Sequence, residues 1–172
     1  MVKLPTTTTN LPPDFVEKRT QFLHDYGAFL ALWSEFELML EVKIAQLTGM
    51  AAKDASIVIG GLNFGSKPSI LCSLLEQRGD SETPKKVRAV ITHARRNALV
   101  HGIAGADRDP IAFAFFKREI GDTYQVKHLT FDADTFNEHF ERLRILHGEA
   151  ADALGLNIDM SPVSTNGTDL RL

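Results

Sequence analysis

Residues 22–47 read FLHDYGAFLALWSEFELMLEVKIAQL. The bulky apolar residues Phe22, Tyr26, Phe29, Trp33, Phe36, Leu40, Ile44 and Leu47 succeed one another at steps of three or four. That spacing lays them along one face of a long amphipathic helix. Thr48-Gly49 follow, and glycine is a good stop. Gly27 weakens the middle and is where such a helix would divide.

Outward from this helix the chain keeps the helical period. A second helix is expected over 51–59, closed by Gly60-Gly61. A third fits Lys67–Arg78, with Ser66 as N-cap, Pro68 in the first turn and Gly79 as the stop. A fourth runs from about Glu82 to His101 on the stripe Val87, Val90, Ile91, Ala94 and Ala98, and ends at Gly102. The period then changes to two. Residues 111–118 and 123–131 are rich in β-branched and aromatic residues, and Gly121-Asp122 between them signals a hairpin turn. A last helix starts near Asp132 or Asp134, carries Phe136, Phe140, Leu143, Leu146 and Ala150, and stops near Gly155. The expected fold is all-α: a four- to five-helix up-and-down bundle with a β-hairpin inserted before the last helix. A lone hairpin is marginal, so it must lean on the bundle or on a second subunit. Residues 1–12 and 157–172 are rich in Thr, Pro, Ser and Asn, and read as a flexible arm and tail around one domain over 13–156.

The chain has 172 residues and a formal net charge of -3. Its 44% hydrophobic and 24% charged content is that of ordinary globular domains, not of collagen-like or disordered chains. No apolar run reaches the roughly 20 residues that span a bilayer, so no membrane partner is expected. The start of the chain lacks the apolar core of a secretory signal. Cys72, the single cysteine, has no partner for a disulfide, which suits the cytoplasm. It sits in an apolar helical run and reads as a packed core thiol. The overall charge argues against indiscriminate coating of nucleic acid. Yet residues 83–106 hold Lys85, Lys86, Arg88, Arg95 and Arg96 and no acid, leaving 14 basic and 22 acidic residues elsewhere.

The candidate sites are few. Gly60–Lys67 (GGLNFGSK) has glycines near a lysine, but Ser66 separates Gly65 from Lys67, Pro68 follows and no strand precedes. A Walker loop needs lysine directly after glycine, so this is a helix connector. None of the six histidines lies in a metal-ligand spacing, so neither a metal nor a cofactor is expected. The remaining candidate is Arg95-Arg96-Asn97-Ala98-Leu99-Val100-His101-Gly102. On a helix Asn97 and His101 share a face, and Arg96 lies about 140° from His101. A histidine at a helix C-terminus is favoured as imidazolium, which brings its titration towards neutrality. The same residues also suit a plainer role, with Asn97 and His101 capping orphan carbonyls and the arginines solvated.

The octet resembles the signature of HEPN domains (higher eukaryotes and prokaryotes nucleotide-binding). Their pattern is an Arg, four to six residues, then a His, often with Asn after the Arg. Arg96, Asn97 and His101 match it, and Gly102 follows as in many bacterial members. The long helix with Trp33, Glu35 and Glu37 is similar as well. The resemblance implies a metal-independent endoribonuclease, as in toxins and phage-defence effectors. Arg96, Asn97 and His101 would be catalytic, and Lys85, Lys86, Arg88 and Arg95 would hold the RNA backbone. It also implies a homodimer, joined through the hairpin or the Phe/Trp stripe, and restrained by an antitoxin protein. The alternative is a non-catalytic HEPN-like module that binds nucleic acid, nucleotide or protein.

Overall fold

The computed structural model describes residues 13–101, 103–106, 113–120 and 124–156. The arm 1–12, the tail 157–172, Gly102 and the Gly121-Asp122 turn lie outside the described residues. Six helices and three strands occur among those described: α1 Phe15–Thr48, α2 Ala52–Val58, α3 Ser66–Glu76, α4 Thr83–Ala94, α5 Arg96–His101, β1 Ile103–Ala106, β2 Phe113–Ile120, β3 Tyr124–Phe131 and α6 Ala133–Leu154. The chain is thus mostly helical, with an antiparallel hairpin directly before the last helix, as its periodicities predict.

Local chemistry sets most of these boundaries. Gly49, Gly79 and Gly155 stand at φ 67°, 82° and 66°, the left-handed backbone that ends helices and favours glycine. Asp132 caps α6: its Oδ1 accepts the Thr135 amide at 2.7 Å, and Thr135 Oγ1 accepts the Asp132 amide at 3.0 Å. This reciprocal pair is a capping box. Ser66 is not the cap of α3 but its first residue. Asn63 Oδ1, three residues back, accepts from the Ser66 amide and hydroxyl at 3.1 and 3.0 Å.

Three elements differ from expectation. α1 passes Gly27 unbroken, since one exposed glycine costs only about 1 kcal/mol against the continuous apolar stripe. The expected fourth helix is two, α4 and α5, parted at Arg95, whose φ of 48° and ψ of 30° are left-handed. β1 was not expected; it pairs antiparallel with β2, Ile103 opposite Phe116, and makes the sheet three-stranded in the order β1-β2-β3. The chain divides into two compact units, and α1 and α6 each contribute to both.

The first unit takes Met1–Ala28 and Arg96–Phe140. Its core is aromatic. Phe22 of α1 stacks on Phe113 of β2, with centroids 3.7 Å apart, and lies 4.8 Å from Phe136 of α6. Phe131, opposite Phe113 in the β2–β3 register, meets Phe136 edge-on at 5.3 Å. The hairpin therefore leans on α1 and α6 of its own chain.

The second unit takes Phe29–Arg95 and Glu141–Leu172. Phe29, Trp33, Phe36, Leu40 and Ile44 of α1 are buried in it, as are Leu71, Leu75, Val87, Val90, Leu143 and Leu154. Cys72 is buried, and that burial pushes its thiol pKa up, as suits a core thiol. Lys43 Nζ donates to the Leu154 carbonyl at 2.6 Å, a cation placed on the C-terminal end of α6.

Two substitutions test this packing. Gly148 of α6 is exposed, and a Cβ there meets nothing within 4 Å. Gly148→Ala is expected to raise stability by about 0.8–1 kcal/mol, read as a higher urea midpoint at unchanged slope. His147 is buried against Phe36, with its Nε2 lacking a hydrogen-bond partner among the described residues. Burial lowers its pKa, with Glu35 opposing, so the folded state holds a neutral imidazole. Below about pH 6.5 the unfolded chain takes up a proton that the folded chain resists. Stability is therefore expected to fall as the pH drops through that value. The difference in urea midpoint between pH 7.5 and 5.5 should shrink in His147→Leu.

Candidate active site

α5 is short, and its position is set by what it buries. Leu99 is fully buried in the first unit, and the Tyr26 hydroxyl of α1 donates to the Leu99 carbonyl at 2.7 Å. With Leu99 turned inward, helical geometry turns Asn97 outward, about 200° away. Asn97 is exposed and Arg96 half-buried. Arg96 Nη1 lies 3.5 Å from Asn97 Oδ1, the outer limit of a hydrogen bond. His101 ends the same helix, four residues after Asn97; its side chain lies outside what the structure describes.

Arg95 is the only non-glycine residue with positive φ among those described. A left-handed residue with a Cβ costs of order 1 kcal/mol or more, and such residues concentrate at functional sites. Here it ends α4, so the apolar stripe Val87, Val90 and Ala94 does not run on into Ala98 as expected. Arg96–His101 becomes a helix of its own. Neither Gly nor Pro marks position 95, which is why the break is absent from the sequence reading.

The candidate site residues divide between the two units. Arg96, Asn97 and His101 belong to the first; Lys85, Lys86, Arg88 and Arg95 belong to the second. Two acids from outside the acid-free window return to it in space. Lys85 Nζ lies 2.6 Å from Glu82 Oε1, and an Arg88 Nη2 lies 2.7 Å from Glu76 Oε1. These pairs are more than half exposed on their basic side, so each is worth little and is screened by salt. Lys86 and Arg95 are exposed. Arg88 also lines a cleft of about 370 Å³ with Phe64, Ser69, Cys72, Ser73 and Ile91.

Two buried charges escaped the sequence reading. Lys67, assigned there to a connector, is buried and donates to Glu41 Oε1 at 2.6 Å and Glu37 Oε1 at 2.9 Å. Burial alone would lower its pKa, but the bonds from Glu41 and Glu37 outweigh it and hold the pKa above the ordinary lysine value. The legible signal was Glu37 and Glu41 at i, i+4 beside an apolar stripe. Asp25 of α1 is buried in the first unit and accepts from Gln21 Nε2 at 2.9 Å, with His24 Nδ1 3.1 Å away. Among the described residues no group of three His, Cys, Asp or Glu side chains is placed to hold a metal ion. Nor is any described helix long and apolar enough to cross a membrane.

No family model, curated protein or solved structure matches this chain.

Proposed function

We propose that this protein is a HEPN-like, metal-independent endoribonuclease that acts as a cytoplasmic homodimer, of the kind used as a toxin or phage-defence effector under an antitoxin. The observation that carries this reading is the left-handed Arg95. It sets Arg96, Asn97 and His101 on a separate helix on which Leu99 is fully buried and Asn97 stands in solvent beside Arg96.

RNA brings its own nucleophile, the 2′-hydroxyl. His101 takes the 2′-hydroxyl proton as that oxygen attacks the adjacent phosphorus. The bond from phosphorus to the 5′-oxygen breaks, and the leaving oxygen takes up a proton. The products are a 2′,3′-cyclic phosphate and a 5′-hydroxyl. Arg96 neutralises the charge that builds on the phosphoryl oxygens, for which a guanidinium fork is well shaped. Asn97 orients His101 or the phosphate. Arg95 and Lys86 attract the RNA backbone, and Lys85 and Arg88 join them by exchanging Glu82 and Glu76 for phosphate.

The test is RNA cleavage by the purified chain in EDTA, beside Arg96→Ala and His101→Ala. Cleavage by wild type that both substitutions abolish supports the assignment. Cleavage that survives both, or that EDTA stops, overturns it. Salt-sensitive RNA binding without cleavage selects the non-catalytic binding module instead.

A further inference from the structure

We infer that the cleft between α3 and α4 binds a small organic monocarboxylate, its carboxylate held by Arg88 and Ser73 and its apolar body laid against Phe64 and Ile91. The site lies wholly in the second unit. It shares only Arg88 with the proposed function, and none of its chemistry.

The cleft follows from a mismatch of side-chain size between two packed helices. Ser69, Cys72 and Ser73 line it from α3, and their spacing of three and four sets these small residues on one helix face. Arg88 and Ile91 line it from α4. The small residues leave room that the larger ones opposite do not fill, and about 370 Å³ stays open. That is near the lower end for pockets that take small molecules, enough for one ring or a short branched chain with its head group. Phe64 lines the cleft too, and its ring packs on the buried Trp33 with centroids 4.7 Å apart. The apolar wall is therefore anchored without a ligand.

The polar groups identify the head group. The Ser69 hydroxyl is already used, donating to the Gly65 carbonyl at 3.3 Å. Ser73 is exposed, and its hydroxyl makes no hydrogen bond among the described residues. Arg88 Nη2 donates to Glu76 Oε1 at 2.7 Å, which leaves most of the five donors of the guanidinium unused. A guanidinium fork and a spare hydroxyl both donate, and a carboxylate accepts from such a fork with two oxygens at once. Among the described residues that line the cleft, Arg88 alone is charged. Cys72 adds no charge, since burial holds its thiol pKa above the ordinary value. Glu76 at the rim balances Arg88 one for one. A monocarboxylate takes the place of Glu76 at equal charge, whereas a phosphate dianion brings one charge too many.

Calorimetric titration of the full chain with phenylacetate and with 3-methylbutanoate tests the inference, together with amide-resolved NMR. Saturable binding is expected, with amide shifts centred on Ser73, Arg88 and Ile91. Phenylacetamide has the same shape without the charge and is expected to bind about tenfold or more weakly, the usual worth of a charge-assisted hydrogen bond. Arg88→Gln is expected to cost a similar factor. Glu76→Gln is expected to tighten binding, because it frees Arg88 of its competitor. Ser73→Trp fills the cleft and is expected to abolish binding with an unchanged helical signal. No saturable binding of either carboxylate at millimolar concentration overturns the inference, as do amide shifts centred elsewhere. Equal binding of phenylacetamide, or tighter binding of inorganic phosphate, overturns the carboxylate assignment. If Arg88→Gln loses its helical signal, Ser73→Trp and the phenylacetamide comparison decide. Phenylacetate binding by a chain that cleaves no RNA would leave this site standing and sink the endoribonuclease; RNA cleavage by a chain that binds neither carboxylate would do the reverse.

Discussion

His101→Ala is expected to lower RNA cleavage by about 10²–10⁴-fold, the usual worth of a positioned general acid–base group. Arg96→Ala should cost about 10²–10³-fold, as losing one donor to a developing oxyanion does. Both losses should appear in kcat more than in KM, because the interactions strengthen as charge builds on the phosphate. Arg96→Lys should rescue little, since an ammonium cannot reproduce the two-pronged fork. Helical content measured by circular dichroism should be unchanged in both Ala variants. Arg96 is half-buried and is not among the buried apolar residues that form the core. Asn97 is exposed, so Asn97→Ala isolates its orienting role, and a smaller loss is expected there. Single-turnover cleavage of a labelled RNA in EDTA measures all four. Activity in His101→Ala within threefold of wild type would remove His101 from the chemistry.

Phe22→Ala is expected to destabilise the fold by about 3–5 kcal/mol, the range for a buried phenyl ring removed from a packed core. Phe22 is 1% exposed and contacts Phe113 and Phe136, so its loss opens a cavity where α1, the hairpin and α6 meet. A domain of this size has about 5–15 kcal/mol in all, so the substitution removes a large share. At about 2–4 °C per kcal/mol, the melting temperature should fall by roughly 6–20 °C. Phe22→Leu keeps most of the volume and should cost much less. Thermal unfolding followed at 222 nm gives both values, and a shift below about 2 °C for Phe22→Ala would show that the aromatic contacts carry little. Because α5 hangs on the same unit through Tyr26 and Leu99, cleavage by Phe22→Ala should fail on heating before that of wild type.

The candidate site was legible in part. The octet around Arg96 stands out by composition and spacing alone, and the helix that carries Asn97 and His101 at i, i+4 is present. What the sequence reading missed was the corner before it. A left-handed arginine has no composition signal, because nothing about its neighbours within four residues requires it. The acid-free window was also a property of the linear chain. Glu76 and Glu82 lie just outside it in sequence and beside Arg88 and Lys85 in space.

For the fold, the chain's own sequence determined that helices form, which faces they bury and where most of them stop. Those are local matters: a 3.6-residue period, a glycine at Gly49, Gly79 and Gly155, an Asp-Thr capping pair. The hairpin followed from its period of two. Tertiary structure decided the rest. It joined Lys67 to Glu37 and Glu41 across 30 and 26 residues, and it added β1 to the sheet through pairing with β2. It also parted α4 from α5 where the chain leaves the second unit for the first. Periodicity reports only neighbours within a turn or two, whereas these outcomes depend on groups that meet only after the helices have packed.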